Sequence, residues 1–156
     1  GTFLHPQIVL ADEPTTALDV VIQKSILLML MDLQQRMKNS LVIVSHDMGV
    51  HYQITNRIAI MYAGKIVEVG PTDRVFNNPK HPYTQMLIQS LPHVGDRGER
   101  KGISGRPPSL IDPPQGCRYA ARCPFVMDRC RETSPELIEV EPNHFAACYL
   151  NEMKGT

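Results

Sequence analysis

The chain has 156 residues, and its 16 Lys and Arg residues balance 16 Asp and Glu residues, so its formal net charge at pH 7 is zero. A chain of this length forms one or two small domains, and the balanced charge excludes the broad positive field that attracts nucleic acid or acidic membrane surfaces. No apolar run approaches the roughly 18 residues that a membrane-spanning helix needs.

The first element is a short apolar strand that ends in two adjacent carboxylates. Residues 8–13 read IVLADE, and PTTALD follows. An apolar run bounded by turn residues predicts a strand over residues 7–12 that is buried on both faces. A carboxylate at the end of such a strand is costly unless it is compensated, and a divalent cation is the usual compensation. Asp12 and Glu13 are therefore candidates for holding a metal ion and polarising a water molecule.

A helix and a second strand follow. Asp19 can cap a helix over residues 20–37. Apolar residues recur there at helical spacing and predict core packing: Ile22, Ile26, Leu30, Leu33 and Met37. The second strand is predicted over residues 41–45, parallel to the first through a right-handed crossover. His46 follows it, at the strand end where open parallel sheets bind their ligands; the alternative is that His46 only caps a core strand.

A hairpin and two more helices are predicted further along the chain, after a short helix over residues 48–54. Strands over residues 57–62 and 65–69 flank Ala63-Gly64, which predicts a tight turn. Thr72 is the predicted cap of the next helix. Residues 78–87 read NPKHPYTQML, which predicts a helix that starts at a proline, with a capping or surface role for His81.

The composition changes near residue 92. Residues 92–102 are polar, charged and rich in Gly, which predicts a linker. The chain is therefore expected to divide into residues 1–92 and residues 93–156.

Four cysteines lie in the second part, at the spacing C-x5-C-x6-C-x17-C: Cys117, Cys123, Cys130 and Cys148. This spacing lacks the C-x2–4-C pairs of zinc fingers and ribbons. Four thiolates can bind zinc or an iron–sulfur cluster, which accepts broader ligand spacing, or they can stay free. Four arginines lie beside three of the cysteines: Arg118, Arg122, Arg129 and Arg131. They predict lowered thiol pKa values or, alternatively, a solvated face.

The quoted motifs resemble those of one family. LADEPTTALDV over residues 10–20 resembles the Walker B motif and D-loop of ABC-type ATPases, and Ser45-His46-Asp47 resembles their switch-histidine strand. RIAIMYAGKIVEVGP over residues 57–71 is also typical of that family. NPKHPYT resembles a segment of the dipeptide, oligopeptide and nickel importer ATPases, and GCRYAARCPF over residues 116–125, with a final HFAAC, resembles their C-terminal extension.

The resemblance implies an α/β fold: part of the P-loop NTPase parallel sheet with its helices, then a small loop-rich extension that contains the cysteines. It implies ATP and Mg²⁺ as ligands, with Asp12 holding Mg²⁺ largely through water and Glu13 activating the attacking water. His46 would reach the γ-phosphate, and Asp19 in the D-loop would touch a second ATPase subunit. For the four cysteines the resemblance implies a 4Fe–4S cluster in at least some members. Its expected role is structural, because it would stabilise a C-terminal segment that has little hydrophobic core of its own.

The resemblance also implies partners and a location. The partners are transmembrane permease subunits, a second ATPase subunit in a homo- or heterodimer and, indirectly, an external solute-binding protein, with no nucleic acid. The location is the cytoplasmic face of the plasma membrane, where the protein is peripheral.

Two motifs of the complete ATPase are missing. The sequence contains no G-x-x-x-x-G-K-[ST] phosphate loop and no LSGGQ-type signature. The resemblance therefore covers the C-terminal part of an ABC ATPase domain, and the chain alone is expected neither to bind ATP tightly nor to hydrolyse it. Two other classes stay open, a non-transport ABC ATPase that works on DNA or ribosomes and a metal or redox module without ATPase activity.

Overall fold

The computed structural model describes residues 6–91 and 105–154. The chain divides into two compact units, Gly1–Thr55 and Asn56–Thr156. The predicted linker and the predicted boundary between residues 92 and 93 lie outside the described residues, so this division into parts stays a prediction. Among the described helices, none has the length and apolar character that crossing a membrane requires.

The first unit is a β–α–β arrangement followed by a short helix. Its elements in chain order are β1 (Ile8–Asp12), α1 (Val20–Met37), β2 (Ser40–Val44) and α2 (Met48–Ile54). β1 and β2 pair in parallel, in a register that runs from Ile8 opposite Ser40 to Asp12 opposite Val44. The predicted parallel pairing of these two strands is therefore confirmed, whereas the larger P-loop sheet stays a proposal.

The prediction that β1 is buried on both faces is wrong for this structure. Ile8 is 65% exposed and Leu10 is 69% exposed, while the alternate residues of the strand are half-buried. β2 shows the same alternation. One face of this two-stranded pair is therefore partly covered and the other apolar face is open to solvent.

The stripe predicted on α1 is also less buried than core packing requires. Leu27 is buried, but Ile22, the first residue of the predicted stripe, is 47% exposed. The other stripe residues are half-buried. The helix start is as predicted, because the Asp19 side chain accepts hydrogen bonds from the backbone N–H groups of Val21 and Ile22, both at 3.0 Å.

The second unit is built on a four-stranded antiparallel sheet. Its strands are β3 (Arg57–Tyr62), β4 (Lys65–Pro71), β5 (Ile138–Glu141) and β6 (His144–Ala146), in the spatial order β3-β4-β6-β5. The turn predicted at Ala63-Gly64 is confirmed: φ is +47° at Ala63 and +78° at Gly64, the left-handed values that two-residue hairpins favour. The sequence predicts no strand in the cysteine-containing part, yet that part supplies β5 and β6.

The described part of this unit also contains three helices: α3 (Thr72–Asn77), α4 (Pro82–Gln89) and α5 (Asp128–Glu132). Two short 3₁₀ turns lie at Ala120–Arg122 and Tyr149–Lys154. The prediction that Thr72 caps α3 is wrong, because Pro71 occupies the cap position and Thr72 is the first helical residue. The cap predicted for α4 is confirmed: His81 Nδ1 accepts a hydrogen bond from the Tyr83 N–H at 3.0 Å, and His81 is buried rather than at the surface.

A polar network centred on two fully buried side chains connects β4, β6 and the entry to α4. Glu68 and His144 are both completely buried, and His144 Nε2 lies 2.7 Å from Glu68 Oε1. The same carboxyl group accepts hydrogen bonds from the backbone N–H groups of Lys80 (2.8 Å) and His81 (2.9 Å). This network explains how the NPKHPYT segment is held, because its backbone is bound by a side chain of the sheet.

Candidate functional site

Glu13 and His46, the two predicted catalytic residues, are in direct contact at the carboxyl ends of β1 and β2. His46 Nδ1 lies 2.8 Å from Glu13 Oε1, and the backbone N–H of His46 donates to the same oxygen at 3.1 Å. The Glu13 N–H donates to the carbonyl of Val44 at 2.8 Å, which continues the β1–β2 pairing by one residue. The parallel register therefore places the acid and the histidine side by side.

Two hydroxyl groups, which the motif analysis did not single out, complete the surroundings of Glu13. Thr16 Oγ1 donates to Glu13 Oε2 at 2.8 Å, and Ser45 Oγ lies 3.4 Å from the same oxygen. A usable signal was present, since Thr16 is three residues after Glu13 and Ser45 directly precedes His46. Hydroxyl groups at these two positions can reach the Glu13 carboxylate.

The charge state of the pair follows from these contacts. The His46 and Thr16 hydrogen bonds lower the pKa of Glu13 to about 2, so the carboxyl group is ionised at neutral pH. The same contact with Glu13 raises the pKa of His46. An ionised carboxylate with this pKa is a strong hydrogen-bond acceptor and a weak proton acceptor while His46 stays in place.

Asp12 and Asp19 lie on either side of Glu13 in the sequence. Asp12 is the last residue of β1 and is exposed. Asp19 is also exposed, and its carboxyl group is engaged as the cap of α1. Glu13 has φ +45° and Ala17 has φ +61°, so the segment between the two acids leaves the extended conformation through left-handed residues. Such values in non-glycine residues cluster at functional sites.

The second constellation is in the other unit, where all four cysteines line one cavity. Within the described residues, all four are free thiols, with Cys130 buried and the others half-buried. The cavity has a volume of about 20 Å³ and a mainly apolar lining. Burial raises the pKa values of Cys117, Cys123 and Cys148, in the last case to about 11, and the neighbouring thiols add to the effect.

The prediction that the arginines lower the thiol pKa values is wrong. Arg118 donates to the Ala63 carbonyl, Arg122 donates to the Tyr62 hydroxyl at 3.0 Å, and Arg129 binds Glu152 at 2.7 Å. Desolvation is the largest influence on the three shifted thiols, and it acts in the opposite direction to a cation.

A close backbone approach brings two of the cysteines together. The Cys117 N–H donates to the Cys130 carbonyl at 2.8 Å. A Cβ atom on Gly116 would lie 2.4 Å from the Cys130 carbonyl oxygen and 2.5 Å from that of Arg131. Position 116 therefore accepts only glycine without a shift of this backbone.

Tyr119 lines the same cavity and has an unsatisfied hydroxyl group. The residue is 1% exposed, and its ring packs near Tyr62, Tyr83 and His81 at centroid distances of 5.2, 5.4 and 5.8 Å. Within the described part of the chain, its hydroxyl is buried and has no hydrogen-bond partner. Burial and the Cys123 thiol raise the pKa of Tyr119, so the hydroxyl keeps its proton at neutral pH.

The donor set around the cavity has the chemistry that a thiolate-bound group requires, because all four cysteines line it. Among residues 6–91 and 105–154, no three His, Cys, Asp or Glu side chains are arranged to hold one metal ion. The four thiols nevertheless share one cavity with an orphaned hydroxyl donor. The cavity volume of about 20 Å³ means that a group as large as an iron–sulfur cluster would move the thiols apart.

Comparison with known proteins gives a consistent result for both units. Residues 67–130 match the family model for the C-terminal region of oligopeptide/dipeptide transporters. The chain is 46% identical over 146 residues to the dipeptide transport ATP-binding protein DppD of Lactococcus lactis subsp. cremoris. The aligned stretch covers 93% of the chain and 42% of that protein. It is 41% identical over 148 residues to the oligopeptide transport ATP-binding protein OppD of Bacillus subtilis, covering 94% of the chain and 41% of that protein.

A third relative is the probable peptide ABC transporter ATP-binding protein y4tR of Sinorhizobium fredii. It is 44% identical over 146 residues, covering 92% of the chain and 44% of that protein. The chain thus spans less than half the length of these three curated relatives.

These matches confirm the family resemblance. The matched stretch lies in proteins that are named as ATP-binding proteins of peptide transporters. The chain is related to these proteins over a stretch that includes the C-terminal region.

Proposed function

We propose that the chain is the C-terminal part of the ATP-binding and ATP-hydrolysing subunit of an ABC importer for peptides or related solutes. The observation that carries this proposal is the Glu13–His46 contact, because it unites the two residues that the family resemblance assigns to water activation and γ-phosphate contact. The names of the relatives support the peptide class of cargo.

The proposed roles follow from the geometry. Glu13 would orient and deprotonate the attacking water, and His46 would contact the γ-phosphate. Asp12, exposed at the end of β1, would hold Mg²⁺ largely through water, and the ion would offset phosphate charge. Asp19 would contact the second ATPase subunit while its carboxyl group continues to cap α1.

The contact between Glu13 and His46 represents a resting arrangement under this proposal. The oxygen that would accept the proton of water is already bound by His46 Nδ1 at 2.8 Å. Both proposed roles therefore require this hydrogen bond to break when nucleotide binds. Loss of the hydrogen bond also raises the low pKa of Glu13 toward a value useful for a base.

The test uses the full-length ATP-binding subunit that contains this chain. Glu13→Gln is expected to reduce ATP turnover by about 100-fold or more while ATP binding survives, because the amide cannot take a proton but fills the same space. Thr16→Ala is the matched control, since it removes a hydrogen bond from the other carboxylate oxygen and leaves the base intact. Turnover of the Glu13 variant within a few-fold of the parent would exclude the base role.

The 156-residue chain by itself is expected to lack tight ATP binding, because it has no phosphate loop. Isothermal titration calorimetry with ATP and Mg²⁺ measures this directly. Micromolar affinity would contradict the assignment of nucleotide binding to the missing motifs.

For the second constellation we propose a 4Fe–4S cluster held by Cys117, Cys123, Cys130 and Cys148. The cavity that all four cysteines line supports a thiolate-bound group, and the family resemblance implies that this group is a 4Fe–4S cluster in at least some members. The group would supply an inorganic core for the loops that carry the cysteines.

The cluster proposal is tested by metal analysis of anaerobically prepared protein. About four iron atoms per chain are expected, and Cys123→Ser is expected to lose them while the β3–β4 hairpin stays folded. Gln115→Ala, an exposed position beside the site, is the control and should keep the iron. Stoichiometric zinc without iron would replace the cluster with a zinc site.

The remaining proposals concern partners and location. The subunit would pair with a second ATPase subunit, dock on transmembrane permease subunits at the cytoplasmic face of the plasma membrane, and receive solute indirectly from an external binding protein. Nucleic acid is not among the proposed partners, because the net charge is zero.

A further inference from the structure

The feature that the proposed ATPase does not use is the buried hydroxyl of Tyr119. Buried hydroxyl groups are normally hydrogen-bonded, because an unpaired one forfeits its bonds with water. Other tyrosines of this unit follow that rule: Tyr62 accepts from Arg122 at 3.0 Å, and the Tyr149 hydroxyl lies 2.8 Å from Thr133 Oγ1. Tyr119 departs from it, since no residue in the described part of the chain binds its hydroxyl.

The location of this hydroxyl suggests its missing partner. Tyr119 lines the cavity that the four cysteines surround. Its ring is fixed by Tyr62 and Tyr83, with centroids 5.2 and 5.4 Å away, and a ring packed on several sides cannot easily turn its hydroxyl toward solvent. The unpartnered hydroxyl therefore belongs to a fixed ring that lines the same cavity as the four cysteines.

We propose that the Tyr119 hydroxyl donates a hydrogen bond to the sulfur-liganded group that the four cysteines hold, and that this bond raises the reduction potential of the group. The inference rests on the cluster assigned to these cysteines above. A donor to sulfur stabilises negative charge, and the reduced form carries one more negative charge than the oxidised form. Tyr119 is thus a positioning and tuning residue rather than a ligand.

The structure supplies a matched pair of variants. Tyr119→Phe removes the unpaired hydroxyl and keeps the ring. Tyr149→Phe removes a hydroxyl from a second tyrosine that lines the same cavity, but one whose hydroxyl is already paired with Thr133. The Tyr149 ring can keep its contact with the Arg129 guanidinium, which lies 3.9 Å from the ring centroid.

The experiment uses the 156-residue chain, loaded anaerobically with ferrous iron and sulfide. Tyr119→Phe is expected to retain the parent's iron content and to have a lower midpoint potential, so that the ratio of reduced to oxidised cluster at a fixed potential falls several-fold. Tyr149→Phe is expected to match the parent in potential. In metal-free protein, Tyr119→Phe should melt at the same temperature as the parent or higher, because it removes an unsatisfied buried group.

Each outcome has a defined meaning. Equal potentials in the parent and in Tyr119→Phe, at equal iron content, overturn the inference and leave the cluster standing. A shift of the same size in Tyr149→Phe also overturns it, because the effect is then not specific to the unpaired donor. A parent protein that takes up no iron overturns the cluster proposal itself, and the inference falls with it.

Discussion

Glu13 combines a left-handed backbone with a carboxyl group surrounded by donors. Its φ of +45° lies in the left-handed region, which residues other than Gly and Asn rarely adopt. The carboxyl group receives His46 on one oxygen and the Thr16 and Ser45 hydroxyls on the other. The turn after β1 is therefore organised around the residue that the proposed chemistry needs.

The pairing can be measured through the titration of His46. Glu13→Gln is expected to lower the pKa of His46 from its raised value toward the ordinary value for histidine, because the carboxylate charge and its hydrogen bond cause the increase. NMR titration of the His46 ring protons in the 156-residue chain gives the value directly.

Thr16→Ala serves as the control for this titration. It removes a bond to the other oxygen of Glu13 and should leave the pKa of His46 raised. An unchanged pKa in Glu13→Gln would show that the contact is absent in solution.

Individual elements differ in how far the sequence specifies them. The bounds of α1, α2 and β3 agree with the periodicity and capping signals, because Asp19 and the alternation of Ile58 and Ile60 are local features. β5 and β6 were not predicted, since they are only four and three residues long. β6 is stabilised by pairing with β4, a contact that is distant in sequence, and β5 is stabilised by pairing with β6.

In the candidate sites too, the sequence predicts local features better than contacts between residues that are distant in sequence. The roles proposed for Glu13 and His46 came from motif resemblance, and their proximity could be expected from parallel strand ends. The Glu68–His144 pair could not be expected, because 76 positions separate two residues that meet only when β6 joins the sheet. The pKa effect of the arginines was mispredicted, since adjacency in sequence does not show where a long side chain points.

The buried network around Glu68 should control the stability of the second unit. Glu68→Ala is expected to lower the free energy of unfolding by roughly 3–5 kcal/mol, because it leaves His144 and the N–H groups of Lys80 and His81 buried without their acceptor. Urea unfolding followed by circular dichroism measures the loss.

Glu132→Ala is the matched control, at an exposed position in α5. It should change the stability by about 0.5 kcal/mol or less. Similar losses in the two variants would contradict a dominant role for the Glu68 network.

At the scale of the whole molecule, the two units differ in how much apolar surface they enclose. In the first unit, one face of the β1–β2 pair is exposed, including Ile8 and Leu10. In the second, Ile58 and Ile60 of β3 are buried, and β4 is paired on both sides. Local opening requires less free energy where fewer apolar groups must be exposed.

Hydrogen–deuterium exchange of the 156-residue chain tests this difference. The amides of β1 and β2 are expected to exchange faster than those of β3 and β4, after correction for intrinsic rates. Equal protection in the two sheets would mean that the exposed strand face is covered in solution.

The position of β4 has one further consequence, for shortened chains. β4 pairs with β6 through Glu68 opposite Ala146 and Val69 opposite Phe145. A strand near the end of the sequence therefore covers one edge of β4, which is synthesised much earlier. A product that ends between α4 and α5 would present that side as an open strand edge, with its N–H and C=O groups unpaired. Such an edge is a template for pairing between molecules, so premature termination or proteolysis in this interval is expected to expose a strand edge that can seed aggregation.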